Sequence, residues 1–490
     1  MSAEPPALPA LVSPLVREFL ADRRALDAAL ARTGTPVHLI FPQVFAENVR
    51  AVRAVLEKAG ARHRICYAHK VNQSRALARA ARRAGIGIDV ASPEELDSAT
   101  AAGFAPADIE MTGPKGEAAI RRALRAGVTT NVDNLWELGL IDRITRMDRT
   151  TGPPAPVLLR VGELPGTPAS RFGIPLARID EALTALAAPG SRIELLGLAF
   201  HLDSGAVDDR VRAVQACLRL LERAHARGLA PTVIDIGGGL RQVFTADADR
   251  FDAYVRALRD GLAGRAAPLT WAGQTFGYHV EAGMAHGTPV FHKYGNTVTA
   301  PAMLAELLGA ALPEHDHRPL ARVLADNLLE LWLEPGKALV DHAGITVAGV
   351  EFTKELGDGT PLVHLDISRD AVTPADQEVM VDPLVVPRSG PLTGPRAGVF
   401  FAGRLCLERD MVTTHRVHLP GLPRPGDLIV FPNTAAYHMD LSAASASMRP
   451  PPPKLAVVRT ERGFRVHADT QPEPAPRDDI AAVREFSKET

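Results

Sequence analysis

Three cysteines in 490 residues, Cys66, Cys217 and Cys406, are too few and too widely spaced for a disulfide framework or a cysteine-rich metal centre. That scarcity suits a reducing compartment, and the cytoplasm is the expected location. Net charge is nearly absent: 55 Lys and Arg against 57 Asp and Glu leave −2, which supplies no bulk field for nucleic acid or an acidic membrane. No run of about 18 apolar residues exists to cross a bilayer. The segment Met1 to Pro14 lacks a basic stretch leading into an apolar core, so no secretory signal is expected. What is plentiful is glycine and proline, 40 of each, the mark of many short elements joined by tight loops. Hydrophobic residues at 46% and charged residues at 23% describe a globular chain, and its length predicts two packed domains.

Residues 1–34 read as an N-terminal extension, Pro-rich and then helical from Val16 to Ala31. From Thr35, short apolar runs alternate with amphipathic helical stretches. Val37 to Phe41, Arg64 to Ala68, Gly87 to Val90, Ile109 to Thr112, Thr130 to Val132, Val157 to Val161, Leu196 to Phe200, Val233 to Ile236 and Leu331 to Leu333 are the predicted strands. This is α/β texture. Eight or nine such units, with no G-x-G-x-x-G turn after the first strand, predict a (β/α)8 TIM barrel over residues 35–343 rather than an open Rossmann sheet. The 95 positions from Gly239 to Glu334 exceed what one βα unit needs, which predicts an insertion around 245–320. It contains Trp271, Tyr278, His279, His286, His292 and Tyr294, and reads either as a lid for a larger substrate or as a surface decoration without a ligand. Its histidines lack H-E-x-x-H spacing, so no metal site is expected. Beyond Gly344 short β pieces separated by Pro and Gly turns predict a C-terminal β domain, barrel or sandwich, over 344–465, followed by a tail at 466–490.

In such a barrel, chemistry sits where strands end. Tyr67-Ala68-His69-Lys70 places a lysine after an apolar strand. Burial there would disfavour the ammonium and free the amine to form a Schiff base, although a strand-end lysine taken alone is more often a surface residue. Ile236 runs into Gly237, Gly238 and Gly239, whose backbone N–H groups can cradle a phosphate; alone, a glycine triplet is as often a plain turn. Amine and cradle on one barrel suggest pyridoxal 5′-phosphate, which needs both. Leu331-Trp332-Leu333-Glu334 ends in a carboxylate that would keep a pyridine nitrogen protonated, or, on the plainer reading, serves the turn at Pro335. Phe200-His201-Leu202-Asp203-Ser204 offers an imidazole to stack on a ring and a hydroxyl to reach phosphate.

In this order the motifs resemble the fold-type III pyridoxal-phosphate decarboxylases, the group of diaminopimelate, ornithine and arginine decarboxylases, from about Thr35 to Val458. The barrel of that group is of the alanine-racemase type. The resemblance marks Lys70 as the Schiff-base lysine, and the similar segment Gly87 to Ser92 puts Asp89 among the cofactor contacts. Ser170-Arg171-Phe172-Gly173 also fits. It implies that His201 stacks on the ring, that Ser204 and Gly237 to Gly239 bind the phosphate, and that Glu334 pairs with the pyridinium. Lys337 stands where the family has Arg, which turns a bidentate contact into a point charge. Cys406 aligns with the cysteine that a partner subunit's β domain delivers to protonate Cα, so a homodimer with shared sites is implied. Tyr437 matches the tyrosine that reaches the phosphate, with Ala435 in place of Gly.

The departures concern substrate. Leu407 follows Cys406 where the family carries an acid that reads a distal amino group, and an ammonium left unpaired beside Leu would be costly. Glu408 or Asp410 is then the candidate reader, and Arg369, in a segment lacking the Arg-Pro-x-Leu-Tyr pattern, a further substrate contact. The expected activity is decarboxylation of an amino acid or amino-acid derivative, with Lys70 forming the Schiff base and Cys406 returning the proton. A racemase or epimerase on the same scaffold, or a non-catalytic pyridoxal-phosphate carrier, are the alternatives. Glu334 argues against the first, since a racemase typically has Arg there, and the β domain carrying Cys406 and Tyr437 argues against the second.

Overall fold

The parallel strand runs close on themselves. The structure, a computed structural model, describes residues 6–147, 153–167, 170–372, 380–441 and 445–471. Strand β1, Val37–Ile40, comes first, followed by β2 His63–Ala68, β3 Gly87–Val90, β4 Ile109–Met111, β5 Thr129–Val132, β6 Ala155–Gly162, β7 Ile193–Ala199, β8 Val233–Asp235 and β9 Glu330–Leu333. Strands β2 to β9 pair in sequence, all parallel, and β9 returns to β2 to complete an eight-stranded barrel. Serine caps start the helices that lead away from its mouth: Ser74 accepts from the Leu77 N–H and Ser92 from the Glu95 N–H. Glu95 reaches back to the Ala91 N–H at 2.8 Å, so the turn carrying Gly87 to Ser92 is pinned from both sides.

Strand β1 corrects the sequence reading. Val37 to Phe41 is not a barrel strand: β1 lies antiparallel to β10, Gly344–Glu355, and parallel to Lys454–Thr460 in the second sheet. Its four residues are buried on both faces, and such a run reads as a parallel barrel strand because periodicity does not say which sheet covers it. The other strands of this second sheet are β11 Pro361–Leu365, β12 Leu384–Val386, β13 Ala397–Ala402, β14 Val417–Leu419, β15 Leu428–Phe431, β16 Lys454–Thr460 and β17 Gly463–Ala468. The path runs β14-β13-β11-β10-β1-β16-β17, with β15 joining β10 to β12. The architecture is therefore an alanine-racemase-type TIM barrel followed by a strand-rich β domain.

The N-terminal extension is two helices, Pro14–Ala21 and Arg23–Thr33, broken at Asp22, whose carboxylate caps the second. It packs firmly: Phe19 is fully buried against Phe41 and Phe464. The segment between β8 and β9 holds the helix Ala248–Leu262 and the hairpin His279–Glu281 with Met284–His286. Tyr254, Phe276, Tyr278, Phe291 and Tyr294 close into a small core with Leu8 and Met380. Trp271 N–H bonds to the Thr414 carbonyl at 2.8 Å and Arg416 N–H to that of Leu269 at 2.8 Å, which fastens this core to the β domain. Of the C-terminal tail, residues 472–490 lie outside the described residues.

Candidate active site

Lys70 sits in the 3-10 turn His69–Val71 directly after β2, with Nζ 3.8 Å from Asp89 Oδ2 on the neighbouring β3. Asp89 is fully buried and neither carboxylate oxygen has a hydrogen-bond partner. The electrostatics differ from the sequence reading. Burial does press the Lys70 ammonium toward its neutral form, but Asp89 and Glu334 outweigh it and leave the pKa above the ordinary lysine value. The amine is thus stored protonated beside an acid, rather than freed by an apolar pocket. Burial, with Glu334 close by, pushes Asp89 well above the carboxylate range, and Lys70 opposes that push.

The β domain seats on this turn. Tyr437, at φ +67°, donates its N–H to the Val71 carbonyl at 2.8 Å. Asn72 donates to the Ala435 carbonyl at 2.8 Å and accepts from Lys454 Nζ at 3.0 Å, while Gln73 N–H reaches Asp440 at 3.0 Å. Burial raises the Tyr437 phenol, with Lys70 pulling it back, so tyrosine and lysine share one site.

Opposite lies the glycine loop. A Cβ on Gly237 would stand 2.5 Å from the Phe200 carbonyl oxygen, one on Gly238 2.6 Å from that of Glu334, and one on Gly239 would overlap the Leu202 carbonyl. Only glycine fits at three consecutive places, so the loop hugs the strand ends and leaves its amides near the mouth. The Gly238 N–H bonds His201 Nδ1 at 3.2 Å. Crowding of the imidazole by protein, together with Lys70 and Arg160, drives its pKa down to about 3, so His201 is neutral. Ser204 is exposed at the rim. Lys337 Nζ donates to Asp203 at 2.8 Å, and Lys293, from the inserted segment, approaches the same carboxylate at 3.5 Å. Burial opposes them, yet the two lysines hold Asp203 below its usual pKa.

Glu334 is buried in the barrel just past β9 and accepts from Asn131 Nδ2 at 3.4 Å. Asp235 and Glu110 lie against it.

The other sequence candidates gather on the β-domain loop after β13. Cys406, Leu407 (48% exposed) and Glu408 face solvent. Asp410 is buried, and its two oxygens accept the N–H groups of Arg369 and Leu405 at 2.7 Å each. It closes the loop and offers no free oxygen to a substrate, against the expectation placed on it. Arg369 lies at the foot of the same loop and reaches the Arg409 carbonyl at 3.4 Å. The loop's own contacts run within the β domain, with Arg409 paired to Asp370 at 3.1 Å.

Sequence reasoning missed Arg210. This fully buried arginine donates to the carbonyls of Leu202 (2.6 Å), Gly238 (2.9 Å) and Ile236 (3.3 Å), latching the His201 loop to the glycine loop. In sequence it is one basic residue in an amphipathic helix and carries no signal. Glu110 and Asn131 were also missed; Glu110 is a charged residue between the apolar Ile109 and Met111, a usable signal, whereas Asn131 follows two threonines and carries little.

The fit to pyridoxal phosphate rests on the cradle that no Cβ can enter, on an amine above a donorless acid, and on a carboxylate deep in the barrel. Residues 45–283 match the family model for the pyridoxal binding domain of pyridoxal-dependent decarboxylases. The uncharacterized protein y4yA of Sinorhizobium fredii is 32% identical over 437 residues, 88% of this chain and 90% of that protein. Diaminopimelate decarboxylase of Pseudomonas aeruginosa is 30% identical over 269 residues, covering 52% of this chain and 63% of the enzyme. In fold, the Helicobacter pylori diaminopimelate decarboxylase complexed with L-lysine superposes with a TM-score of 0.63, 18% identity, over 90% of this chain and 95% of that one.

Proposed function

The chain belongs to the fold-type III pyridoxal-phosphate-dependent decarboxylases, enzymes that act on amino acids, and from that premise we propose how its own residues do the work. The observation that carries the reading is the convergence of Lys70, Asp89, Glu334 and Tyr437 opposite the glycine cradle. When bound, pyridoxal phosphate supplies an electron sink for the bond between Cα and the departing carboxylate.

Lys70 holds the cofactor through Nζ. Its surplus proton has an acceptor in Asp89 Oδ2, a carboxylate whose burial makes it basic. The glycine loop, with the Gly237 and Gly238 amides given to Asp235 and His201, would offer the Gly239 amide to the phosphate beside the Ser204 hydroxyl and the Tyr437 phenol, with Lys337 adding charge once it exchanges Asp203 for the anion. His201, neutral, offers a ring face without a competing positive charge. Glu334 keeps the pyridine nitrogen protonated. Cys406, exposed on its loop, serves the site of a second subunit, so the working form is a homodimer, and its thiol returns a proton to Cα.

With Leu407 in place of an acid and Asp410 committed to backbone, Glu408 is the carboxylate left to read a distal cation. A substrate whose far end is conjugated or apolar suits Leu407 better than a bare diamino acid. The test is a panel of free and conjugated amino acids, with carbon dioxide and Schiff-base absorbance followed together. K70A should lose both signals, whereas C406A should keep the absorbance and stall after about one carbon dioxide per site, since its proton is needed only after the carboxylate has left; no carbon dioxide from any substrate overturns the proposal. Deuterium entering Cα with the carboxylate retained would establish the racemase reading instead.

A further inference from the structure

Four acids point into the barrel from four strands: Asp89 on β3, Glu110 on β4, Asp235 on β8 and Glu334 past β9, all buried. Glu110, Asp235 and Glu334 each bring an oxygen within 4.8 Å of the other two. Their hydrogen bonds are unequal. Asp235 Oδ1 accepts the Gly237 N–H at 2.7 Å. The Asn131 amide donates to Glu110 Oε1 at 2.9 Å and to Glu334 Oε1 at 3.4 Å. Glu110 Oε2 and Asp235 Oδ2 both lack a partner and exposed surface, so one proton on Glu110, donated to Asp235 Oδ2, would satisfy the two together.

Three ionised carboxylates in so small and dry a space repel one another, and an ionised Glu110 would keep an anionic oxygen with no donor. A proton on that oxygen removes both difficulties. It turns the unpartnered acceptor into a donor, with carboxylate oxygens of Asp235 and Glu334 in reach. We infer that Glu110 is a proton-bearing positioning residue: its neutral carboxyl, braced by Asn131, donates into the Asp235 and Glu334 pair and keeps the Glu334 carboxylate aimed at the cofactor's ring nitrogen. The inference rests on the reading of Glu334 given above.

The surroundings agree. Burial first, then Asp235, Glu334 and Asp89, push the Glu110 carboxyl well above its ordinary range. The cations facing this space, Lys70 after β2 and Arg160 on β6, act on the Asp89 side. The Cys66 thiol on β2 is held neutral by burial.

Two measurements test it on the full-length protein. In the cofactor-free form, the infrared difference between wild type and E110Q at neutral pH should contain a protonated carboxyl C=O band that E110Q lacks. Absence of the band overturns the proposal. So does a rise in thermal midpoint on adding magnesium or manganese to wild type but not to E110Q, which would mean a cation and not a proton neutralises the acids. In the second, pyridoxal phosphate is titrated by absorbance. E110Q, a neutral donor of the same shape, should bind within about threefold of wild type, whereas E110L should bind about tenfold or more weakly and titrate its Schiff-base absorbance at a shifted pH. E110Q as weak as E110L, or E110L as tight as wild type, overturns the proposal. Wild type that takes up no pyridoxal phosphate overturns the reading of Glu334 and this proposal with it, whereas loss of the infrared band alone leaves that reading standing.

Discussion

Replacing Arg210 with Met should loosen the cofactor cradle from behind, and the structure sets the size of the effect. The guanidinium donates to the carbonyls of Leu202, Gly238 and Ile236 at 2.6, 2.9 and 3.3 Å inside the protein. Hydrogen bonds from a charged donor contribute roughly 1.5–3 kcal/mol each, so about 4.5–9 kcal/mol of contact is removed. Against that, burial pushes the Arg210 pKa down to about 10. The ordinary value is about 12.5, and at about 1.4 kcal/mol per unit Met recovers roughly 3 kcal/mol of desolvation. The contacts win, leaving a net loss of about 1.5–6 kcal/mol. Unfolding entropy for a chain of 490 residues is about 1 kcal/mol per kelvin, so the thermal midpoint should fall by about 1.5–6 °C. Pyridoxal-phosphate affinity should fall further than this uniform loss, because the carbonyls freed belong to the two loops that form the cradle. Arg219→Met, which removes only an exposed pair with Glu314, is the control and should stay within about 1 kcal/mol of wild type. An R210M protein with wild-type midpoint and cofactor affinity would refute the latch.

Three further outcomes are expected. The Lys115 ammonium is buried, bonded to the Gly113 and Asn131 carbonyls at 2.5 and 2.6 Å and paired with Glu137 at 3.1 Å, so E137Q should cost about 3–5 kcal/mol in denaturant unfolding; K115M/E137L should recover part of that, and a silent E137Q would contradict the pairing. Burial lowers His38 to about 3 and His438 to about 4, so below pH 6.5 the unfolded chain takes up protons that the folded chain refuses, and stability present above that pH is lost as pH falls toward 4. Each histidine adds up to about 1.4 kcal/mol per pH unit to that slope, and H438N should flatten it by that amount between pH 6 and 4.5; unchanged slopes would refute the assignment. Finally, Cys66 and Cys217 are buried with thiols pushed up, Cys217 to about 12, while Cys406 is exposed. An aromatic disulfide reagent should therefore label one thiol per native chain, and C406A none.

The barrel was legible because its strands are short apolar runs ending in polar residues, and the residues at those ends, Lys70, His201, the glycine triplet and Glu334, became candidates through their order together and the family resemblance, not through position alone. Strand β1 was misassigned for a reason the sequence does not contain: Val37 to Ile40 is apolar but for His38 and buried throughout, and the partner that decides its sheet, Gly344–Glu355, lies some three hundred residues away. Arg210 was invisible because burial of an arginine depends on three carbonyls from two distant loops. Lys70 was placed correctly and its charge read wrongly. The apolar neighbours that suggest a neutral amine are in the sequence next to it, whereas the acids that keep it protonated come from β3 and from the end of β9.

Those acids bear on the choice between decarboxylase and racemase chemistry. A racemase of this architecture gains from a ring that withdraws electrons weakly, hence from a cation at the ring nitrogen; a decarboxylase gains from a protonated ring. Here Asp89, Glu110, Asp235 and Glu334 converge behind the mouth, and Asn131, an uncharged amide, is the side chain bridging two of them. Two unit charges about 5 Å apart in a protein interior interact by roughly 3 kcal/mol at an effective dielectric of about 20. Even with one acid neutral, the remaining carboxylates set a potential that favours a proton on any basic nitrogen placed among them by more than one pKa unit. The same field holds Lys70 as an ammonium until Asp89 takes its proton. One feature, a set of carboxyls in a dry barrel, therefore accounts for the stored proton on the lysine, and under the proposed function it would equally favour the protonated ring that loss of carbon dioxide requires.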